Sequence, residues 1–96
     1  MSGEKEQLPK QFQLFQNYPN PFNPATKIDF ETPITSFTTL KIFDILGREL
    51  ATLVSENLKA GYHTRTWNAS SYSSGVYLCS LQSGKYSQTK KLLLQK

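Results

Sequence analysis

The amino-acid sequence predicts an all-β domain, an antiparallel sandwich of six or seven short strands. Turn-forming residues recur at short intervals, and several segments between them have the two-residue period of a strand. The chain has 96 residues, of which 38% are hydrophobic, so it can form one small core to which each strand offers one face. A chain of this size has little room for an enclosed active site as well, and we expect no enzyme activity.

The turn residues mark the strand boundaries. Prolines and asparagines cluster over 17–24, Pro33 follows, and single glycines are spaced further along the chain. The predicted strands between these marks are 12–16, 26–31, 38–44, 48–60, 62–68, 75–82 and 86–95. The segment 75–82 is apolar on both faces, which predicts a central strand.

The segment 48–60 is ambiguous by itself. Its apolar residues Leu50, Leu53, Val54 and Leu58 fall at spacings that suit a helix. Gly47 before it and Gly61 after it continue the rhythm of short turns, which weakly favours a strand.

Charge and cysteine content narrow the class of protein. A formal charge of +4 and a pI of about 9.3 permit nucleic-acid binding but do not indicate it. With Cys79 as the single cysteine and His63 as the single histidine, neither an internal disulfide nor a Cys/His zinc site can form, and we predict no cofactor. No apolar run is long enough for a membrane span, and the polar start lacks the core of a signal peptide.

The chain divides into a short start and one domain. We expect 1–10 to be a flexible linker or an artificial start, and 11–96 to be a single monomeric domain from the end of a longer protein. The residues of types that can carry chemistry have ordinary structural explanations, which we favour. They are His63, Cys79, the carboxylates Asp29 and Glu31, and the glycosylation sequon Asn68-Ala69-Ser70.

Two local signals allow a functional interpretation. The prolines of 17–24 predict a stiff series of turns that displays Tyr18 and Phe22, either as a connector that plugs one end of the sandwich or as a recognition surface. Near the end of the chain, Lys90 and Lys91 precede three leucines. They either protect a sheet edge or present a basic strand to a partner.

Five motifs, in this order, resemble the type A C-terminal sorting domain of the type IX secretion system. They are Tyr18-Pro19-Asn20-Pro21-Phe22-Asn23-Pro24-Ala25-Thr26, the stretch 40–49 followed by Leu53-Val54, Ala60-Gly61-Tyr62, Ser74-Gly75-Val76-Tyr77 and Lys90-Lys91-Leu92-Leu93-Leu94. The resemblance covers nearly all of 12–96. More distantly, the chain is similar to the immunoglobulin-like module of flagellar hook-capping proteins.

The resemblance implies an immunoglobulin-like sandwich of about seven strands, in which 48–55 is a strand. It also implies a non-catalytic signal that directs a passenger protein of Bacteroidetes or related bacteria from the periplasm through an outer-membrane translocon. A sortase-like cysteine peptidase would then attach the passenger to the cell surface, with cleavage near or before 1–10. The implied signal residues are Pro19, Asn20, Pro21, Gly75, Val76, Tyr77, Lys90, Lys91, Leu92, Leu93, Leu94 and Lys96, and the structural turns and anchors are Tyr18, Phe22, Pro24, Gly47 and Gly61.

An alternative stays open, in which the domain is a structural or carbohydrate-binding accessory module of a secreted hydrolase. It requires that several aromatic side chains share one exposed face. The candidates are Tyr62, Trp67, Tyr72, Tyr77 and Tyr86.

Overall fold

A computed structural model describes residues 8–96 of the chain. These residues form seven strands and no helix. The strands are β1 (Gln13–Leu14), β2 (Ala25–Thr32), β3 (Ser36–Asp44), β4 (Glu49–Leu58), β5 (Gly61–Asn68), β6 (Gly75–Ser83) and β7 (Tyr86–Leu94). One sheet has three strands in the order β1-β2-β5, the other has four in the order β4-β3-β6-β7, and neighbouring strands are antiparallel. The predicted all-β sandwich is therefore confirmed, and each of the seven predicted segments contains a strand.

The core lies between the two sheets and follows from side-chain alternation. On β2, Ile28 and Phe30 face inward and are 1% exposed, whereas Asp29 between them faces solvent. On β6, Cys79 and Leu81 fill the same layer from the opposite sheet. As predicted, β6 is central, because it lies between β3 and β7.

The helical spacing within β4 has a local cause. The register against β3 shifts twice, so Leu40 is opposite Val54 but Lys41 is opposite Thr52, and a second shift follows after Ile42. Each shift leaves one extra residue on β4, Leu53 in the first case and Leu50 in the second. Because an extra residue changes the phase of the two-residue alternation, the apolar positions of this bulged strand resemble those of a helix.

The side-chain carboxylate of Asp44 stabilises the turn of the β3–β4 hairpin. Asp44 Oδ1 accepts hydrogen bonds from the backbone amides of Leu46 and Arg48, both at 2.9 Å, and Asp44 Oδ2 lies 2.7 Å from Arg48 Nε. Gly47 has a φ of +85°, a conformation that costs glycine little and other residues more. The hydrogen bond from the Arg48 amide and the other contacts with Arg48 lower the pKa of Asp44.

The first strand is shorter than the predicted 12–16. The Phe15 amide still donates to the Asp29 carbonyl at 3.0 Å, but the chain then leaves the β2 ladder and turns into 17–24. That departure places the proline-rich segment at one end of the sandwich, where it contacts both sheets.

Candidate functional site

The proline-rich segment is first attached to the three-stranded sheet. Tyr18 and Lys27 exchange two backbone hydrogen bonds of 2.9 and 2.8 Å. Asn17 is buried, and its Nδ2 donates to the Pro19 carbonyl and to Thr26 Oγ1, each at 3.0 Å. Since an unpaired amide here would be costly, this small polar network determines where the turn begins.

The same segment then crosses to β7 in the other sheet. Phe22 donates from its amide to the Leu93 carbonyl at 3.0 Å and accepts from the Gln95 amide at 2.9 Å. Asn20 Oδ1 accepts a hydrogen bond from the Leu93 amide at 3.0 Å, and Gln16 Nε2 donates to the Lys91 carbonyl at 2.7 Å. The outer edge of the final strand is therefore occupied by the N-terminal part of the domain.

The second motif, Gly75-Val76-Tyr77, lies directly against the end of the same strand. In the β6–β7 register, Val76 is opposite Leu93, and its two neighbours are opposite Leu94 and Leu92. Side chains alternate here as well, so Tyr77 points into the core and Val76 faces solvent with 38% of its surface exposed. The three motifs that the resemblance marks as signals are thus adjacent in space.

An aromatic cluster supports this end of the sandwich from within. The Phe22 and Trp67 ring centroids lie 5.8 Å apart, and Tyr77 meets Trp67 edge-on at 5.5 Å. Tyr72 completes the cluster at 5.6 Å from Trp67. Phe22 is 2% exposed and plugs the end of the core, so it is not displayed at the surface, whereas Tyr18 is 77% exposed and does not contribute to the plug.

Lys90 and Lys91 point to opposite faces of β7. Lys90 is opposite Cys79 on the inward face and is half-buried, whereas Lys91 is opposite Leu78 on the outward face and is exposed. Leu92 and Leu94 are 1% exposed, and Leu93 is 41% exposed. The last residue is held in place, because the Lys96 amide donates to Ser74 Oγ at 2.9 Å and its Nζ donates to the Ser70 carbonyl at 2.8 Å.

Six exposed motif residues lie around Leu93, which is opposite Val76 and hydrogen-bonded to Asn20, and we call them the composite surface. It consists of Pro19, Asn20, Pro21, Val76, Lys91 and Leu93. Gly47 and Gly61 lie elsewhere, in the β3–β4 hairpin and at the start of β5. The Pro24 carbonyl accepts from the Ala69 amide at 2.8 Å and ties the segment to the β5–β6 loop.

Two further residues extend this patch and were not predicted. Phe43 on β3 is opposite Leu78 on β6, and both lie on the outward face, half-buried. The signal for Phe43 was available in the sequence, because it alternates with the inward-facing Leu40 and Ile42. What was missing was the order of the strands, which places Phe43 in line with Leu78 and Lys91.

Neither His63 nor Cys79, the two residues considered as nucleophiles, belongs to this patch. His63 stacks on Phe30 with ring centroids 5.1 Å apart, and its Nε2 lies 3.0 Å from the Lys59 carbonyl. Cys79 is in the core, and burial raises the pKa of its thiol to about 12. Among residues 8–96, no three His, Cys, Asp or Glu side chains form a group that could hold a metal ion.

The aromatic residues of the carbohydrate-binding alternative do not share an exposed face. Trp67 and Tyr77 are buried, and Tyr72 and Tyr86 are half-buried against the core. Of the five candidates only Tyr62, at 66%, is largely exposed.

In the part of the chain that the structure describes, no helix has the length and apolar character needed to cross a membrane.

Comparison with known proteins identifies the family. Residues 16–95 match the family described as Secretion system C-terminal sorting domain, and no match was found among curated proteins or solved structures. Domains of this family are in general non-catalytic signals that send a passenger to the cell surface or the extracellular space by type IX secretion. The similarity to hook-capping proteins stays a prediction. Because the match covers most of the sequence, the chain belongs to the family of type IX C-terminal sorting domains.

Proposed function

We propose that this domain directs a passenger protein through the outer-membrane translocon of the type IX system, and that the translocon recognises the folded composite surface. The observation that carries the proposal is that three motifs from separate parts of the sequence lie next to one another. Leu93 is at the centre of it, since it pairs with Val76 on one side and bonds with Asn20 and Phe22 on the other.

Rigidity of the surface supports recognition in the folded state. The outer edge of β7 near Leu93 is already hydrogen-bonded to Asn20 and Phe22, so a partner cannot add a strand there without displacing the proline-rich segment. A preordered surface also loses little conformational entropy on binding. The exposed apolar side chains Val76 and Leu93, with Lys91 beside them, offer a small apolar contact with one positive charge.

The later steps of export complete the proposal. The passenger passes through the periplasm, and a sortase-like cysteine peptidase cleaves near or before 1–10 and attaches it to the cell surface. Exposed residues at the start of the described chain support access by a peptidase, since Leu8 is 52% exposed and Lys10 and Gln11 are also exposed, with only Pro9 between them buried. Such a cleavage would not require the sandwich to unfold.

The test uses a reporter joined in front of the domain in a bacterium that carries the system. Val76→Asp and Leu93→Asp change only outward-facing side chains. Phe37→Asp is the matched control, because Phe37 is 55% exposed on the same four-stranded sheet but lies towards the opposite end of the strands.

We expect each composite-surface variant to reduce surface delivery by about ten-fold or more, as loss of a central contact does in other interfaces. The reporter should accumulate inside the cell, and the control should be delivered normally. Protease resistance of the purified variants checks that each remains folded. Normal delivery of both folded aspartate variants would contradict recognition of this surface, and the mass of the released reporter tests cleavage separately.

A further inference from the structure

The outer face of the three-stranded sheet carries an unusual row of aromatic side chains. Four aromatic side chains are exposed among residues 8–96, and Phe15, Tyr18 and Tyr62 lie on this one face. Their exposed fractions are 42%, 77% and 66%. Single exposed apolar residues are common, but a group of them bordered by polar residues is typical of a ligand-binding surface.

Strand register gives the spacing of this row. The Phe15 amide bonds to the Asp29 carbonyl on one side of β2, and Tyr62 is opposite Glu31 on the other side. Because strands lie about 4.8 Å apart and rise about 3.4 Å per residue, the Phe15 and Tyr62 Cα atoms are separated by about 12 Å. Tyr18, opposite Lys27, extends the row further along β2.

Two open grooves lie along this row. The first has a volume of about 300 Å³ and includes Phe15, Asp29, Glu31, Tyr62 and Thr64 in its lining. The second has a volume of about 380 Å³ and includes Tyr18, Pro19, Lys27 and Thr66. Both are on the face of the sheet away from the core, and neither includes a residue of the composite surface other than Pro19.

The polar groups between the aromatics are both donors and acceptors. Asp29 accepts from Thr64 Oγ1 at 2.7 Å through one carboxylate oxygen, which leaves the other oxygen available to a ligand. Glu31 adds a second carboxylate, whereas Lys27 and the Thr66 hydroxyl offer donors in the other groove. The mixture matches the hydroxyl groups of a sugar, which both donate and accept.

From this arrangement we infer that the outer face of the three-stranded sheet binds a neutral polysaccharide. Pyranose rings stack on Phe15, Tyr62 and Tyr18 through their apolar faces, while ring hydroxyls bond to Asp29, Glu31 and Lys27. The distance between the aromatic positions suits several linked sugars rather than one. A basic peptide fits less well, because Lys27 repels it and the whole chain has a net charge of +4.

The test measures retardation of the 96-residue chain in native gels that contain starch, a mixed-linkage β-glucan, a xylan or a galactomannan. At least one of these polysaccharides should retard the chain. Phe15→Ala and Tyr62→Ala should each weaken that binding by about five-fold or more through the lost stacking surface. Phe37→Ala is the matched control, since it removes an exposed aromatic from the other sheet and should bind normally.

Circular dichroism and thermal unfolding check the folding of each variant. A polylysine peptide serves as the competing ligand. The double variant Asp29→Asn, Glu31→Gln should still bind the polysaccharide but not polylysine, because amides still bond to hydroxyls but lose their attraction for a cation. The inference is overturned if no polysaccharide retards the chain, if both alanine variants bind like the parent, or if only polylysine binds. Surface delivery of the reporter is independent of these outcomes.

Discussion

The Leu93 amide donates a hydrogen bond to Asn20 Oδ1 at 3.0 Å, which joins residues 73 positions apart in the sequence. Leu93 lies on β7 and Asn20 in the proline-rich turn, so this bond links the last strand to the N-terminal part of the domain. It also completes the hydrogen bonding of a strand edge that would otherwise be open to other chains.

Asn20→Ala should loosen this closure. Loss of one bond to a partly exposed amide should lower the free energy of unfolding by about 1 kcal/mol and speed hydrogen exchange at the Leu93 amide by about five-fold. Asn20→Asp is the control, because its carboxylate keeps the acceptor oxygen. An unchanged exchange rate in the alanine variant would mean that the bond contributes nothing to the edge.

Phe22→Ala should be far more damaging. Phe22 is 2% exposed and packs on Trp67, so its truncation leaves a cavity and should cost about 3–4 kcal/mol. Urea unfolding followed by tryptophan fluorescence measures this directly. Tyr18→Ala, in the same turn but 77% exposed, should change stability by less than about 0.5 kcal/mol, and equal losses would argue against Phe22 as the plug of the core.

The Cys79 thiol should make the domain less stable at alkaline pH. Burial raises its pKa from an ordinary 9.0 to about 12, so the folded state keeps a proton that the unfolded chain releases. The free energy of unfolding should therefore fall as pH rises from about 9 to 12. Cys79→Ala should show a smaller decrease over this range in urea titrations, although tyrosines and lysines titrate in both proteins. Parallel curves for the two proteins would contradict this origin of the effect.

The same cysteine should be chemically inert in the folded protein. A thiol that is neutral and 1% exposed cannot attack an alkylating reagent until the core opens. Labelling with iodoacetamide at pH 8, followed by mass spectrometry, should be slow in buffer and fast in 8 M urea. Rapid labelling under native conditions would place Cys79 at an accessible position instead.

Asp44 should contribute to stability in the opposite pH range. Its pKa is lowered, first by the hydrogen bond from the Arg48 amide, so the carboxylate is favoured in the folded state. The stabilisation is present above the ordinary value of 3.8 and is lost as pH falls through the lower folded pKa. Asp44→Asn should lose less stability than the parent between pH 5 and pH 2, and an identical acid response would contradict the assignment.

Much of the fold was predictable from local pattern. The seven strands follow from turns at proline, asparagine and glycine positions and from the alternation in segments such as β3, which bury Leu40 and Ile42 and expose Phe37. β4 was ambiguous because its two bulges depend on pairing with β3 and so leave no regular period. Local sequence cannot show a bulge, because a bulge exists only relative to the partner strand.

The residues of the candidate site could be named from the sequence, but their arrangement as one surface could not. Alternation already requires that Lys90 and Lys91 point to opposite faces, yet it does not say which face is covered, and only the packing of the two sheets turns Lys90 inward. The aromatic row was likewise not predictable as a surface, because Phe15, Tyr18 and Tyr62 come from separate segments that pairing with β2 brings together.

The sequence by itself determined the approximate positions of the strands along the chain, the stiff proline-rich turn and the absence of paired cysteines, because these depend on neighbouring residues or on composition. Only the tertiary structure decided that Asn20, Val76 and Leu93 meet, because hydrogen bonds between distant strands depend on sheet order and register. The physical reason is the distance along the chain over which each signal acts. Periodicity within a segment shows which side of a strand is apolar, whereas only the packing of distant segments selects the neighbouring strand.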